Sequence, residues 1–279
     1  MKRITRALLL LVALGFGVLA IGLWNATRPP VIVTATLDIP NLAPGTRILA
    51  LHITDTHGGN PDMRRARLER IVAQANALKP DIILLTGDYH GGKLLDWPKS
   101  RLESALEPLA KLHAPLGVYA SMGNHDPWHW TPIVLRRQPG PVLLINENRD
   151  IGPFTIAAVH SASHGGNLTK ALANIPADRP VLLLAHEPET FLGQRPPRPL
   201  LMLSGHTHGG QIRLPLNIFP ADWLVGTPPC RRGRCTVNGW TMFVSSGVGT
   251  SWAPMRFGVP PEMALLTLQA SGKKSATDR

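Results

Sequence analysis

Tyrosine and cysteine are scarce in this 279-residue chain, which contains two of each. Two tyrosines give few platforms on which nucleic-acid bases could stack, and the basic residues are scattered along the chain. Acidic residues are also few, since 18 Asp and Glu stand against 29 Lys and Arg, for a formal net charge of +11. This balance favours anionic partners such as phosphates or lipid headgroups. The scattered pattern argues against a nucleic-acid partner.

The two cysteines exclude one class of site. Cys230 and Cys235 have four residues between them, which is not the spacing of a CxxC metal or redox motif. Outside the cytoplasm they could form a small loop disulfide, and inside it they would be free thiols. The sequence leaves both possibilities open.

The amino terminus has the pattern of a membrane anchor. Lys2, Arg3 and Arg6 precede an uncharged apolar run of 18 residues, 7–24, which is close to the minimum for a membrane span. The run exceeds the usual apolar region of a cleaved signal, and no convincing cleavage site follows it. We therefore expect a signal anchor rather than a cleaved signal. Because the basic residues come first, the rest of the chain should face away from the cytoplasm.

The remaining sequence predicts one large α/β domain. Its expected boundaries are 1–28 for the basic end and transmembrane anchor, 29–45 for a linker and edge strand, 46–270 for the main domain and 271–279 for a disordered tail. Hydrophobic periodicity predicts helices over 62–78 and 97–112. Strands are expected at 31–37, 47–54, 81–86, 117–121, 142–145, 155–159, 181–185, 200–204, 241–245 and 263–268. We expect two packed sheets with helices outside, and more antiparallel pairing in the second half.

Polar residues follow five of the predicted buried strands. They are Asp55 and His57, Asp88, the run Asn124-His125-Asp126, His186, and the pair His206 and His208. Ligand sites assemble in the crevice beyond the carboxyl ends of strands, so these side chains should converge. Asp-x-His or Gly-Asp alone is common by chance or in a turn, but the series after five strands points to one site.

The predicted site has a mixed nitrogen and oxygen ligand set without thiolate, which suits Mn, Fe, Zn or Co better than a structural zinc. The seven candidate ligands are Asp55, His57, Asp88, Asn124, His186, His206 and His208. Seven are too many for one ion. They suit two divalent ions about 3.5–4 Å apart that share a carboxylate.

These motifs resemble those of the calcineurin-like metallophosphoesterases. The matching segments are Asp55-Thr-His57, Gly87-Asp88, Gly123-Asn-His-Asp126, His186 and Gly205-His-Thr-His208, within about residues 46–268. The resemblance implies a four-layer αββα sandwich with a dinuclear metal site at the sheet edge, preceded here by the transmembrane helix. It also implies the role of each residue. Asp55, His57 and His208 would hold the first metal; Asn124, His186 and His206 the second; Asp88 would bridge them; His125 would reach the scissile phosphate; and Asp126 would orient the His125 imidazole.

The expected activity is that of a phosphodiesterase. Two metals sharing a water or hydroxide would direct it in line at phosphorus, and His125 would stabilise the developing charge or protonate the leaving oxygen. More narrowly, residues 205–215 and 245–262 resemble a bacterial branch of membrane-anchored or exported phosphodiesterases, which includes a pyrophosphatase of UDP-diacylglucosamine. A pyrophosphohydrolase of that lipid or of a phospholipid is therefore an alternative, and a non-catalytic metal-binding scaffold is a remote one.

The expected partners are a phosphoester, with or without a linked lipid, and the membrane around the anchor. The expected location is the bacterial inner membrane, with the domain facing the periplasm. Four arginines, Arg64, Arg65, Arg67 and Arg70, fit either an anionic substrate near a lipid surface or a solvated helix face.

Overall fold

The computed structural model describes residues 2–94, 96, 101–137 and 140–271. Residues 97–100 of the second predicted helix and the predicted tail beyond residue 271 lie outside the described residues.

The first element is the long amino-terminal helix, α1 (Lys2–Thr27). Within the part of the chain that the structure describes, it is the helix that is long and apolar enough to cross a membrane, by length and composition. Most of its apolar side chains face away from the domain. Its last turns are docked on the domain, since Ala26 is buried and the Arg256 N–H donates to the Gly22 carbonyl oxygen over 3.0 Å.

Twelve described strands, numbered in chain order, form two six-stranded sheets. The first sheet has the order β1-β12-β2-β3-β4-β5 and the second β10-β11-β9-β8-β7-β6. The first sheet contains β1 (Val31–Ile39), β2 (Arg47–Ile53), β3 (Ile82–Leu85), β4 (Val118–Ala120), β5 (Val142–Leu143) and β12 (Glu262–Ala270). The second contains β6 (Glu147–Asp150), β7 (Thr155–Ala158), β8 (Val181–Leu184), β9 (Leu201–Ser204), β10 (Gly233–Val237) and β11 (Trp240–Val244).

The described helices after α1 are short apart from α2. They are α2 (Arg65–Ala77), α3 (Leu102–Leu106), α4 (Thr131–Arg137), α5 (Leu168–Ala171) and α6 (Asp222–Val225). Single 3-10 turns cover Glu107–Lys111, Ala162–His164, His208–Gly210 and Pro215–Asn217. The second predicted helix is thus present as α3 and the 3-10 turn that follows it.

The alternation of side chains along the central strands explains the four layers. Side chains alternate between the two faces of a strand, and both faces of the central strands are apolar. In β3, Ile82 and Leu84 point between the sheets, whereas Ile83 and Leu85 pack under α2 and α3. In β8, the side chains at 182 and 184 point between the sheets and those at 181 and 183 pack under α5 and the loops around it. The predicted αββα sandwich is confirmed.

The ten predicted strands are confirmed with small differences at their ends. Two further strands, β6 and β10, were not expected. The expectation of more antiparallel pairing in the second half is confirmed, since each antiparallel pair among the described strands includes a strand of that half, although β7, β8, β9 and β11 run parallel. In that sheet, antiparallel pairing occurs at β6–β7 and β10–β11, the two edges.

The four arginines near α2 do not share one surface. Arg67 is buried, and its guanidinium donates to the backbone carbonyls of Thr27 and Arg28, just where α1 ends. It also donates to the Val248 carbonyl over 3.1 Å. Arg67 therefore connects the end of the apolar helix to the domain, while Arg64, Arg65 and Arg70 are exposed.

Candidate metal centre

Unusual backbone conformations place the predicted ligands. Asp55, His57, Asp88, His206 and His208 all have positive φ, between 42° and 69°. L-residues other than glycine seldom adopt this region, and it is enriched at functional sites. The turns are tight as well: a Cβ at Gly205 would overlap the side chains of Thr54 and Asp55, and one at Gly123 would overlap Asp88.

Asp55, His57 and His208 form the first cluster, and all three are buried. The Nε2 atoms of His57 and His208 lie 3.1 Å apart. Asp55 Oδ1 is 3.3 Å from His208 Nε2 and 3.8 Å from His57 Nε2. The three residues that the resemblance assigns to the first metal are thus brought together.

A second buried cluster contains Asp55, Asp88 and His186. Asp88 Oδ2 lies 3.1 Å from His186 Nε2 and 3.4 Å from His57 Nε2, so it stands between imidazoles of the two clusters. Asp55 also belongs to both clusters. Either carboxylate is therefore placed where a bridging ligand would be needed.

Asn124 and His206 lie at the outer side of these clusters. His206 Nδ1 is 2.9 Å from Asn124 Oδ1, and the rings of His206 and His186 are 5.3 Å apart. The backbone N–H of His206 donates to the carboxylate of Asp55. The seven predicted ligands are therefore neighbours, and which ion each would hold stays a prediction.

Backbone carbonyls fix the orientation of two imidazoles. His57 Nδ1 lies 2.8 Å from the Gly91 carbonyl oxygen, and His186 Nδ1 lies 2.6 Å from that of Thr86. A carbonyl only accepts, so both Nδ1 atoms carry the proton and both Nε2 atoms present a lone pair in the neutral ring. His186 Nε2 is buried without a hydrogen-bond partner. A divalent cation is the partner that this donor set fits.

Electrostatics agree with that fit. Burial alone raises the pKa of the Asp55 carboxyl, but His208, His57 and His186 together hold this pKa well below its usual range. Burial likewise lowers the pKa of the His186 imidazole, yet Asp88 and Asp55 together raise it well above its usual value. The carboxylates thus favour positive charge at Nε2 of His186, which a proton or a metal ion can supply.

His125 faces the cavity beside the clusters. Its backbone N–H donates to Asp88 Oδ1 over 2.8 Å, and its ring lies 5.4 Å from that of His57. Burial lowers the pKa of its imidazole, although the charge of Asp88 opposes the shift. The residue is close enough to the clusters to contact a group bound on them.

Among the described residues no hydrogen bond joins the Asp126 carboxylate to the His125 imidazole, and the orienting role expected of Asp126 stays a prediction. One carboxylate oxygen accepts from the N–H groups of Gly123 (2.8 Å) and Asp88 (2.9 Å), and the other accepts from that of Tyr89 (2.7 Å). Burial and the charge of Asp88 raise the pKa of Asp126 to about 7. These backbone bonds hold two ligand-bearing loops together, so Asp126 positions Asp88 and the loop of His125.

Two residues near the clusters were not expected. Arg256 is completely buried, and its Nη2 lies 3.4 Å from His208 Nδ1. Gly92 lies against two histidines, because a Cβ there would stand 2.8 Å from His57 Cε1 and 3.1 Å from His125 Cδ2. The glycine-rich run 245–249, whose carbonyls need donors, was the available signal for the arginine. No local signal marks the glycine.

The clusters open into a cavity of about 550 Å³. Its lining includes Asp88, His125, His206 and His208, together with an apolar wall of residues that include Leu94, Leu224, Val225 and Trp252. A phosphate placed against the clusters would therefore extend its substituents towards an apolar wall.

Comparisons with known proteins agree with this geometry. Residues 48–210 match the family described as calcineurin-like phosphoesterase. A Bos taurus protein named transmembrane protein with metallophosphoesterase domain is 33% identical over 278 residues, which cover 90% of this chain and 60% of that protein. A metallophosphoesterase of Aquifex aeolicus is 31% identical over 255 residues, covering 85% of this chain and 91% of that one. The chain spans about three fifths of the bovine and Danio rerio relatives.

Two solved structures also align with the chain. A phosphoesterase from E. coli aligns with a TM-score of 0.34 and 14% identity, over 73% of this chain and 80% of that one. A Thermus thermophilus protein aligns with a TM-score of 0.44 and 14% identity, over 73% and 91%.

Proposed function

Because the chain belongs to the calcineurin-like phosphoesterase family, we propose that it is a metal-dependent phosphohydrolase that acts on phosphodiesters. One observation carries the proposal. The Nε2 atoms of His57, His186 and His208 converge on the carboxylates of Asp55 and Asp88, and the buried His186 Nε2 lies 3.1 Å from Asp88 Oδ2 without a hydrogen bond of regular geometry.

We assign the metal ligands as the sequence predicts, with Asp55, His57 and His208 for one ion and Asn124, His186 and His206 for the other, and with Asp88 between them. Divalent ions held there would neutralise phosphate charge and lower the pKa of water at the site. The left-handed backbone at five of these residues supports the assignment, since strain of this kind is retained where it places functional groups.

His125 supplies the proton in this proposal. Water adds to phosphorus and releases one proton to solvent, the bond from phosphorus to the leaving oxygen breaks, and the protonated imidazole donates a proton to that oxygen and regains one from solvent. A positioned imidazole of this kind can protonate an alkoxide leaving group. Such positioned acids contribute roughly 10²–10⁴ to the rate.

Charge in the cavity favours a diester over a monoester. A monoester dianion needs cationic side chains beyond the metal ions, whereas a diester carries a single negative charge. Arg231 is the arginine among the described residues that line the cavity. Both oxygens of the Asp222 carboxylate accept from its guanidinium, at 2.7 and 2.8 Å. The apolar wall leaves room for a second ester group.

The test is hydrolysis of bis-(p-nitrophenyl) phosphate by the purified full chain with manganese, beside the monoester p-nitrophenyl phosphate. We expect the diester to have the higher kcat/KM, and His125→Ala to lower kcat by about 10²-fold or more with manganese still bound. A wild-type chain that binds manganese and hydrolyses neither compound would refute the proposal.

We further infer that the catalytic domain lies outside the cytoplasm, at the inner membrane of a bacterium. The apolar α1 and relatives that are named transmembrane proteins indicate membrane association. The basic residues ahead of the apolar run support the orientation. A disulfide between Cys230 and Cys235 also supports it, since such bonds persist in oxidising compartments.

A further inference from the structure

Large apolar side chains face solvent around the cavity mouth. Residues 212–229 supply part of the cavity lining and carry six such side chains. Leu224 and Val225 line the cavity, and the other four, Leu214, Leu216, Ile218 and Trp223, we call the apolar rim. Leu216 is 92% exposed and Trp223 is 75% exposed, so neither contributes to the core. A cluster of this kind beside a binding site marks a surface that contacts another apolar body.

Leu216, the most exposed residue of the rim, does not stabilise the fold. The N–H of Leu214 donates to the carbonyl of Ile218 over 2.8 Å, and Leu216 stands between them with φ of 62°. At this φ, glycine or asparagine is favoured and a bulky side chain is strained. The fold therefore does not account for an exposed leucine there, but a contact outside the chain does.

The rim begins beside the apolar helix. The Arg213 N–H donates to the Phe257 carbonyl over 2.8 Å. Phe257 in turn packs on α1, because a Cβ at Gly22 would lie 2.8 Å from Phe257 Cε2. The segment around Phe257 thus lies between the rim and α1, the helix that is apolar enough to span a membrane. A bilayer around α1 would lie close to the rim.

The charge of the segment fits a lipid surface. Residues 212–229 contain one acidic residue, Asp222, which is paired with Arg231. The exposed Arg213 adjoins the first rim residue. Exposed apolar and basic side chains without free carboxylates are typical of surfaces that rest among anionic headgroups.

We propose that the apolar rim rests in the bilayer that α1 enters, and that the site hydrolyses phosphodiesters of membrane lipids. This inference rests on the proposed function. Leu224 and Val225 follow Trp223 directly and line the cavity, so an apolar path runs from the rim towards His125. A lipid phosphate would reach the metal clusters while its hydrocarbon tail stays against the rim.

Two substrates with the same reacting group test the proposal. Hexadecyl p-nitrophenyl phosphate and ethyl p-nitrophenyl phosphate differ in the tail alone, and both are assayed with the full chain in nanodiscs of phosphatidylcholine and phosphatidylglycerol. Leu216→Asn suits the left-handed backbone, and Trp223→Ser removes the second exposed side chain. Together they should lower kcat/KM for the hexadecyl compound at least about tenfold. For the ethyl compound, kcat/KM should stay within about twofold.

Val142→Thr is the matched control, because Val142 is an exposed apolar residue on β5, at the far edge of the first sheet. It should change neither rate. An equal loss on both substrates, or no loss on either, would overturn the proposal. A rim that is covered by a second copy of the chain would appear as a dimer that dissociates in the double variant, and that outcome would also overturn it.

A readout without catalysis separates this proposal from the proposed function. Brominated lipids quench tryptophans that lie in the bilayer, and Trp223→Phe removes one fluorophore while keeping an apolar side chain. The quenched part of the fluorescence should fall in Trp223→Phe. Quenching of Trp223 without hydrolysis of either compound would support the membrane contact and refute the catalytic proposal. Hydrolysis of the ethyl compound without quenching would do the reverse.

Discussion

Arg256 is a buried charged side chain that holds the loop of residues 245–249 beside the first cluster. It has no solvent contact, and its guanidinium donates to the carbonyls of Ser246, Gly247 and Gly249. The same loop contacts the first cluster, since the Gly249 N–H donates to the Asp55 carbonyl over 2.7 Å. Arg256 therefore fixes the position of the loop relative to Asp55 and His208.

We expect Arg256→Met to weaken both the fold and the metal site. The carbonyls left without donors should lower the free energy of unfolding by about 2 kcal/mol or more. Manganese affinity should fall roughly 10–100-fold, as for other residues that support metal ligands. Denaturant unfolding and manganese titration measure the two effects, with the exposed Arg136→Met on α4 as control. Unchanged manganese affinity in a destabilised variant would limit Arg256 to the fold.

At this scale the sequence predicted which side chains lie together, and their role as ligands stays a prediction. Asp88 and His186 directly follow buried strands and their turns, and strand direction alone brings such residues to one edge. The role of Asp126 could not be predicted in the same way. Its carboxylate accepts from backbone groups of two loops, and local sequence does not show which N–H groups lack other partners.

The amino-terminal helix is more than a tether. Its last turns pack on the segment that includes Met255 and Phe257, and Gly22 leaves just enough room, because a Cβ there would lie 2.7 Å from Met255 Cβ. Arg67 supplies donors to the carbonyls at the end of the helix. The orientation of the helix is therefore coupled to the loop that holds Arg256.

Gly22→Ala should disturb this contact and Gly17→Ala should not. The added methyl at Gly22 overpacks the interface, which costs about 1–3 kcal/mol, whereas a Cβ at Gly17 has no atom within 4 Å. We expect a lower melting temperature and a lower kcat on bis-(p-nitrophenyl) phosphate in Gly22→Ala alone. Equal melting temperatures for both variants would mean that α1 does not pack on the domain in the membrane-bound protein.

Element by element, the buried strands were predictable and the two edge strands of the second sheet were not. A central strand such as β3 is apolar on both faces, which is a strong signal. The strands β6 and β10 contain mostly polar residues, because they stand at the edges of the second sheet, where charged and polar side chains prevent association with other sheets. Their pattern resembles that of a loop.

For the molecule as a whole, the orientation of the chain can be tested through its cysteines. If the domain faces an oxidising compartment, Cys230 and Cys235 remain paired there. Protein extracted into N-ethylmaleimide should take up no label until dithiothreitol is added, and alkaline phosphatase fused after residue 279 should be active. Free thiols together with an inactive fusion would place the domain in the cytoplasm.

The central claim is that this domain binds two divalent ions and uses them to hydrolyse phosphodiesters. The most direct measurement counts manganese bound to the full chain while following hydrolysis of bis-(p-nitrophenyl) phosphate. The account predicts about two ions per chain, loss of hydrolysis on chelation and recovery on readdition. It also predicts that His208→Ala releases the ion of the first cluster. Hydrolysis that persists in the chelated chain, or an unchanged ion count in His208→Ala, would contradict it.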